Sequence, residues 1–262
     1  MSPYPHLALS RPAPGVALVA IDRPEARNAL NAAVLDSLAR VFQDLSSDPD
    51  CRAVILRGTG EKAFCAGADL KEWQARDGIA AYREHFGAVA RVVEGIGKCA
   101  KPIIAAVDGF ALAGGCGLAA ACDITLASRR SQFGLPEVKI GLLPAIVMAP
   151  IFRAVGWKKA VELALRGHRI TGEEAERIGL VTRCVAEEKL EEEALALAKE
   201  FSSLSPLVLK MGKEAIHQLG DMEYFASLKY LRDLIASLST SQDAHEGVAS
   251  FFENREPAWK GK

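Results

Sequence analysis

The chain has 262 residues, 50% of them hydrophobic and 25% charged, and a formal net charge of −1 at pH 7. That length fits one sizeable domain, or a domain with an appendage, and is enough to bury a substantial core. The balanced charge gives no field that would recruit nucleic acid or an acidic membrane surface.

Taken in chain order, the N-terminal segment carries Pro3, Pro5, Pro12 and Pro14 and has no apolar core of the signal-peptide kind. No secretory leader is expected, and the expected location is cytoplasmic. Residues 16–21 are β-branched and apolar, as in a buried strand. Asn31 is a plausible N-cap for an amphipathic helix over 31–45, with Val34, Leu35, Leu38, Val41, Phe42 and Leu45 on one face. A second strand is read at 53–56. The stretch after it, Gly58-Thr59-Gly60-Glu61-Lys62-Ala63, satisfies the G-x-G-x-x-G/A dinucleotide pattern. That pattern needs a helix directly behind it, and here the chain reaches Gly67 within a turn or two. A tight surface turn is the better reading.

Residues 79–96 read as a helix interrupted at Gly87. The long apolar stretch 103–122 contains Asp108 and a cluster of glycines, which makes it a poor membrane span. It reads as a buried strand, a turn and a buried helix, with another short strand at 124–127. Beyond Pro144 helical patterns dominate, at 146–155, 158–165, 172–178, 187–204, 206–219, 223–238 and 242–252. The fold class is therefore α/β, with a core over 1–185 carrying the site and a helical region over 186–262. The six cysteines (Cys51, Cys65, Cys99, Cys116, Cys122 and Cys184) contain no C-x-x-C pair. Reduced, mostly buried thiols are expected, with no disulfide and no metal site.

Two glycine-rich stretches about fifty residues apart carry the functional signal. The first is Phe64-Cys65-Ala66-Gly67-Ala68-Asp69 and the second Asp108-Gly109-Phe110-Ala111-Leu112-Ala113-Gly114-Gly115-Cys116-Gly117. Each follows an apolar strand-like run and ends where a helix can begin. Two such turns can aim two backbone N–H groups at one point, the geometry that stabilises charge developing on a carbonyl oxygen. A third segment, Phe133-Gly134-Leu135-Pro136-Glu137, can bring a carboxylate to the same place.

These segments resemble the enoyl-CoA hydratase/isomerase, or crotonase, superfamily. Further matching segments are Ile21-Asp22-Arg23-Pro24, Arg27-Asn28-Ala29-Leu30-Asn31, Ala121-Cys122-Asp123-Ile124 and the closing Phe251 to Pro257. Each is weak alone; their order and spacing over nearly the whole chain are not. The resemblance implies a crotonase-like ββα spiral with a helical C-terminal region used for trimerisation. It implies a homotrimer or dimer of trimers acting on an acyl-CoA thioester. No separate cofactor is implied, since coenzyme A is part of the substrate. On the same grounds the N–H groups of Ala66 and Gly114 would form the oxyanion hole. Glu137 would be the acid/base, and Arg27, Gly67, Ala68, Asp69, Gly115 and Gly117 would contact substrate. For Asp69 a role as loop anchor or helix cap competes. Trp73, Ile79, Tyr82 and Phe86 are candidates to line the acyl pocket, with core packing as the alternative.

Two departures bear on the reaction. The family's two-carboxylate hydratases carry a second glutamate three residues beyond the second oxyanion-hole glycine, and Gly117 stands there. A single carboxylate resembles the family's isomerases, which move one proton between two carbons. Gly117 together with Pro144-Ala145-Ile146 is instead similar to a branch that includes hydratases of methylglutaconyl-type, branched acyl-CoA substrates. A carboxylated substrate supplying the missing group would reconcile the two. Glu84 and His85 are further replacement candidates, against the ordinary reading of a surface or core histidine. The expected reaction is hydration of a 2-enoyl-CoA, with double-bond isomerisation as the alternative. Acyl-CoA decarboxylation and non-catalytic acyl-CoA binding remain further alternatives.

Overall fold

The computed structural model describes residues 3–262. The larger of its two sheets has six strands, in the order β1 (Leu7–Ala13), β2 (Val16–Ile21), β3 (Ala53–Gly58), β5 (Ile103–Val107), β7 (Ile124–Ser128) and β10 (Arg183–Val185). The smaller has four, in the order β4 (Ala63–Cys65), β6 (Phe110–Leu112), β8 (Gln132–Gly134) and β9 (Arg169–Thr171). The pairs β1–β2 and β8–β9 are antiparallel and all other pairs are parallel.

The helices α1 (Ala32–Ser47), α2 (Leu70–Gln74), α3 (Gly78–Lys98), α4 (Gly114–Ala121), α5 (Ala145–Ala154), α6 (Trp157–Arg166) and α7 (Gly172–Arg177) interleave with the strands. After β10 come α8 (Leu190–Ser202), α9 (Pro206–Leu219), α10 (Tyr224–Leu238) and α11 (Gln242–Glu253). The repeat is a strand in the large sheet, a short strand in the small sheet, then helix. It runs β3–β4–α2–α3, then β5–β6–α4, then β7–β8 and a 3-10 turn (Pro136–Ile140) leading to α5. The expected α/β spiral is thus present.

The central strands β2, β3 and β5 are covered on both faces, which is why they read as unbroken apolar runs without alternation. On one face Leu56 and Ile103 belong to a cluster with Val34, Leu38 and Phe42 of α1 and with Val92 and Ile96 of α3. On the other, Val16, Ile55, Ile104 and Leu126 pack against Leu190, Ala194 and Ala198 of α8. By packing, α8 therefore belongs with the sheet, and a boundary at 185/186 cuts through this layer. Asn31 caps α1 as expected, its side chain accepting from Val34 N–H at 2.9 Å. Helix α3 runs through Gly87 without a break. Lys213 of α9 reaches back to the start of β5. Its ammonium donates to the carbonyls of Ile96 (2.9 Å) and Lys101 (3.1 Å) and to Asp123 (2.7 Å). Among the described residues, no helix is long and apolar enough to cross a membrane.

Candidate active site

Strands β4, β6 and β8 lie side by side and parallel, so their carboxyl ends open on one place. That is where ligands sit in α/β folds. From β4 the chain runs into Ala66–Asp69, from β6 into Ala113–Gly115, and from β8 into Leu135–Glu137. The Ala113 N–H donates to the Gly134 carbonyl at 2.9 Å, joining the second and third loops. Gly67, at φ +95°, joins the first and second. A Cβ on Gly67 would stand 2.6 Å from the Ala113 Cβ and 3.3 Å from the Gly114 nitrogen, so only glycine permits this approach.

Backbone hydrogen bonds decide which donors are available. The Ala66 N–H donates to the Arg27 carbonyl at 3.1 Å, so the oxyanion role expected of Ala66 is not met. The Leu30 N–H donates to Gly67 and the Asp69 N–H to Leu30, a parallel bridge that turns the Ala68 N–H the other way. Ala68 lines the cavity with its N–H unpaired. Gly114 is the first residue of α4, where an N–H has no acceptor within the helix. It follows Ala113 at φ +54°, ψ −124°, a strained conformation for a residue with a side chain. Among the described residues of the first two loops, Ala68 and Gly114 are the ones that line the cavity with an N–H lacking an acceptor.

The cavity has a volume of about 230 Å³ and mostly apolar walls. Leu70 and Trp73 come from α2, and His85, Phe86 and Val89 from α3. Ile140 to Val147 supply the wall leading into α5. Glu137 enters from the 3-10 turn with Oε2 unpartnered. Burial pushes its carboxyl above the ordinary glutamate range, opposed by its own backbone N–H. His85 is 4% exposed and neither ring nitrogen has a protein partner. Burial lowers its pKa, with the Arg76 charge acting in the same direction and Glu72 opposing.

Not all of the expected contact residues reach this cavity. Asp69 accepts from Arg23 at 3.0 Å and caps α2 through the N–H groups of Lys71 and Glu72. Burial would raise its pKa, but these hydrogen bonds outweigh burial and hold it low. It is an anchor. Arg27 lines a separate cleft of about 300 Å³ with Pro24, Asn28, Thr59 and Lys62. Gly115 is a packing residue, since a Cβ there would lie 2.1 Å from the Cys65 carbonyl oxygen. Gly117 is another, since a Cβ there would lie 2.1 Å from Val147 Cγ1. Trp73 and Phe86 line the cavity as expected. Ile79 is 77% exposed, and Tyr82 packs at a tilt against Trp73, ring centroids 5.4 Å apart, instead. Cys116 is a buried thiol with its pKa pushed up to about 12.

Residues 12–262 match a family model described as enoyl-CoA hydratase/isomerase. The chain belongs to that family. A probable enoyl-CoA hydratase of Rhizobium meliloti (strain 1021) is 40% identical over 246 residues, covering 94% of each chain. The 2,3-dehydroadipyl-CoA hydratase of Escherichia coli (strain K12) is 35% identical over 248 residues, 94% of this chain and 96% of that one. The crystal structure of an enoyl-CoA hydratase from Bacillus anthracis superposes with a TM-score of 0.94 at 31% identity, covering 98% of this chain and 100% of that one. As a family enzyme, the chain has an ordinary crotonase scaffold around a cavity with one carboxylate.

Sequence reading missed one support of this enzyme's site. Asn28 is fully buried, and its amide donates to the carbonyls of Thr59 (2.9 Å) and Ala63 (2.7 Å) while its oxygen accepts from Arg23 N–H (2.9 Å). It ties the Arg27 loop to the entry of β4. Its place inside the matching segment Arg27-Asn28-Ala29-Leu30-Asn31 was the available signal.

Proposed function

We propose that this enzyme adds water to a 2-enoyl-CoA thioester, and removes it in reverse, through an enolate held by the N–H groups of Ala68 and Gly114. The observation that carries the reading is the convergence of these two free donors and the half-buried Glu137 on one apolar cavity. As charge moves onto the thioester oxygen, the donors stabilise it against mostly apolar walls. Glu137, kept protonated more often by its raised pKa, gives a proton to Cα during hydration and takes it back in dehydration. The apolar walls suit a hydrocarbon acyl group, short or branched. Arg27 and Lys62, in the second cleft, are suited to the phosphates of the coenzyme A nucleotide. Exposed apolar side chains on α9 to α11, among them Ile216, Phe225 and Phe251, support packing of copies into a trimer or dimer of trimers.

One observation favours a second reading, double-bond isomerisation. With Val147 against Gly117, no side chain fits at residue 117, and the cavity keeps a single carboxylate. Turnover of crotonyl-CoA, a 3-enoyl-CoA and 3-methylglutaconyl-CoA by the wild type and by Glu137→Gln separates the two. Hydration that Glu137→Gln abolishes supports the hydratase. Turnover of the 3-enoyl substrate alone makes the enzyme an isomerase. Binding without any turnover refutes both.

A further inference from the structure

Water addition needs a proton acceptor on the water side as well as a donor to Cα. The place where two-carboxylate relatives carry the second group is filled here. Val147 Cγ1 and Cβ stand 2.1 and 2.3 Å from where a Cβ on Gly117 would be. Among the described residues, the titratable side chains lining the cavity are Glu137 and His85. Glu84, the neighbouring candidate, is exposed.

We propose that His85 is the second proton-handling group, its imidazole taking a proton from water as the water oxygen bonds to Cβ of the enoyl thioester. This rests on the hydratase reading above. Three observations support it. His85 projects from α3 into the cavity that Glu137 enters from the 3-10 turn, so the two approach from different walls. Neither bonds the other, so His85 and Glu137 Oε2 each keep an unspent polar atom. Both imidazole nitrogens lack a protein partner although the residue is 4% exposed, an arrangement that a purely structural histidine avoids.

The step balances without a further reactant. Water's oxygen forms the C–O bond at Cβ and its proton passes to His85. The Cα=Cβ π pair moves toward the thioester and becomes the new bond to the proton donated by Glu137. The products are the 3-hydroxyacyl thioester, a carboxylate and an imidazolium, and proton return from His85 to Glu137 through solvent restores the enzyme. Charged groups around His85 are Glu72 on α2, Arg76 in the turn after it, Arg83 and Glu84 on the exposed side of α3, and Glu137 across the cavity. Burial and Arg76 favour the neutral imidazole, the form a base must have.

The test uses His85→Gln and His85→Phe with crotonyl-CoA, whose acyl group carries no polar tail of its own. Hydration is measured across pH beside exchange of the α-protons of butyryl-CoA with deuterated water, which needs Glu137 and the oxyanion donors only. Hydration should fall by about 10²-fold or more in both variants, while exchange and thioester affinity stay within about threefold. The acidic limb of the wild-type profile, placed below the ordinary histidine value of about 6.5, should vanish in His85→Gln. Should His85→Phe fail to fold, the near-isosteric His85→Gln decides. Wild-type-like hydration in His85→Gln overturns the inference and leaves the hydratase reading standing. Equal loss of hydration and exchange also overturns it, since that marks a structural role. A wild type that hydrates no enoyl-CoA defeats both.

Discussion

Lys213 and His85 are buried to a similar degree, 7% and 4% exposed, in surroundings that differ completely. The Lys213 ammonium has three donors and meets three acceptors, two carbonyls and Asp123. Asp123 also accepts from the Ile103 N–H at 2.7 Å, so the pair ties α9 to the start of β5. His85 has two ring nitrogens and no partner, and Glu137 Oε2 and Trp73 Nε1 are in the same condition. A buried polar group left unpaired costs roughly 1–3 kcal/mol, so a fold keeps such groups only where something else meets them. One region spends its charges on holding the chain together. The other leaves its polar groups without a protein partner.

Exchanging the chemistry of one side chain at a time should break this contrast. Glu137→Gln keeps shape and removes the proton. It should lower kcat by about 10²- to 10⁴-fold while thioester affinity changes little, read by steady-state kinetics beside direct binding. An affinity loss matching the rate loss would mean that Glu137 binds substrate and does no proton transfer. Lys213→Met should do the opposite. Leaving the partly exposed Asp123 and two carbonyls without their cation should cost roughly 1–3 kcal/mol in urea unfolding, with kcat of the folded fraction preserved. Unchanged stability there would erase the distinction between the two regions.

Gly117→Ala probes the filled site between α4 and α5. The new methyl group meets Val147 and should cost about 1–3 kcal/mol, relieved when Val147→Gly accompanies it. Additive losses in the double variant would show that the contact does not govern the position.

The smallest effect is a pH dependence. The folded-state pKa of Glu137 is raised, so the native state holds its proton over a window where the unfolded chain has released it. The wild type therefore loses stability relative to Glu137→Gln as pH rises from the ordinary glutamate value through the raised one. Glu137→Gln should gain on the wild type as pH rises above about 4.3, the ordinary glutamate value, in paired denaturation curves. A stability difference independent of pH would mean that the carboxyl is solvated like a surface glutamate.

The long elements were legible because their signals are local. The Asn31 cap, the one-sided apolar face of α1, the apolar runs of β2, β3 and β5, and the proline-initiated α9 all appear where the pattern places them. The short strands were not legible. Strands β4, β6, β8 and β9 have three residues each, too few to show a period, and exist because neighbours pair with them. Yet these strands build the site, three of them by aiming their loops at one point.

The same division holds for the chemistry. By itself the sequence determined the family, the α/β class and the glycine-rich loops, together with Glu137 and the absence of a carboxylate at residue 117. Each of these is a matter of residue type and order. Tertiary structure alone decided that the Ala66 N–H is consumed by Arg27 and the Ala68 N–H is left free. It also decided that Asp69 is tied to Arg23, that Val147 closes the place beside Gly117, and that His85 faces the cavity. The physical reason is that a donor's availability and a side chain's surroundings are set by what packs against them. Those neighbours come from segments tens of residues away, such as Arg27 for Ala66 and Val147 for Gly117.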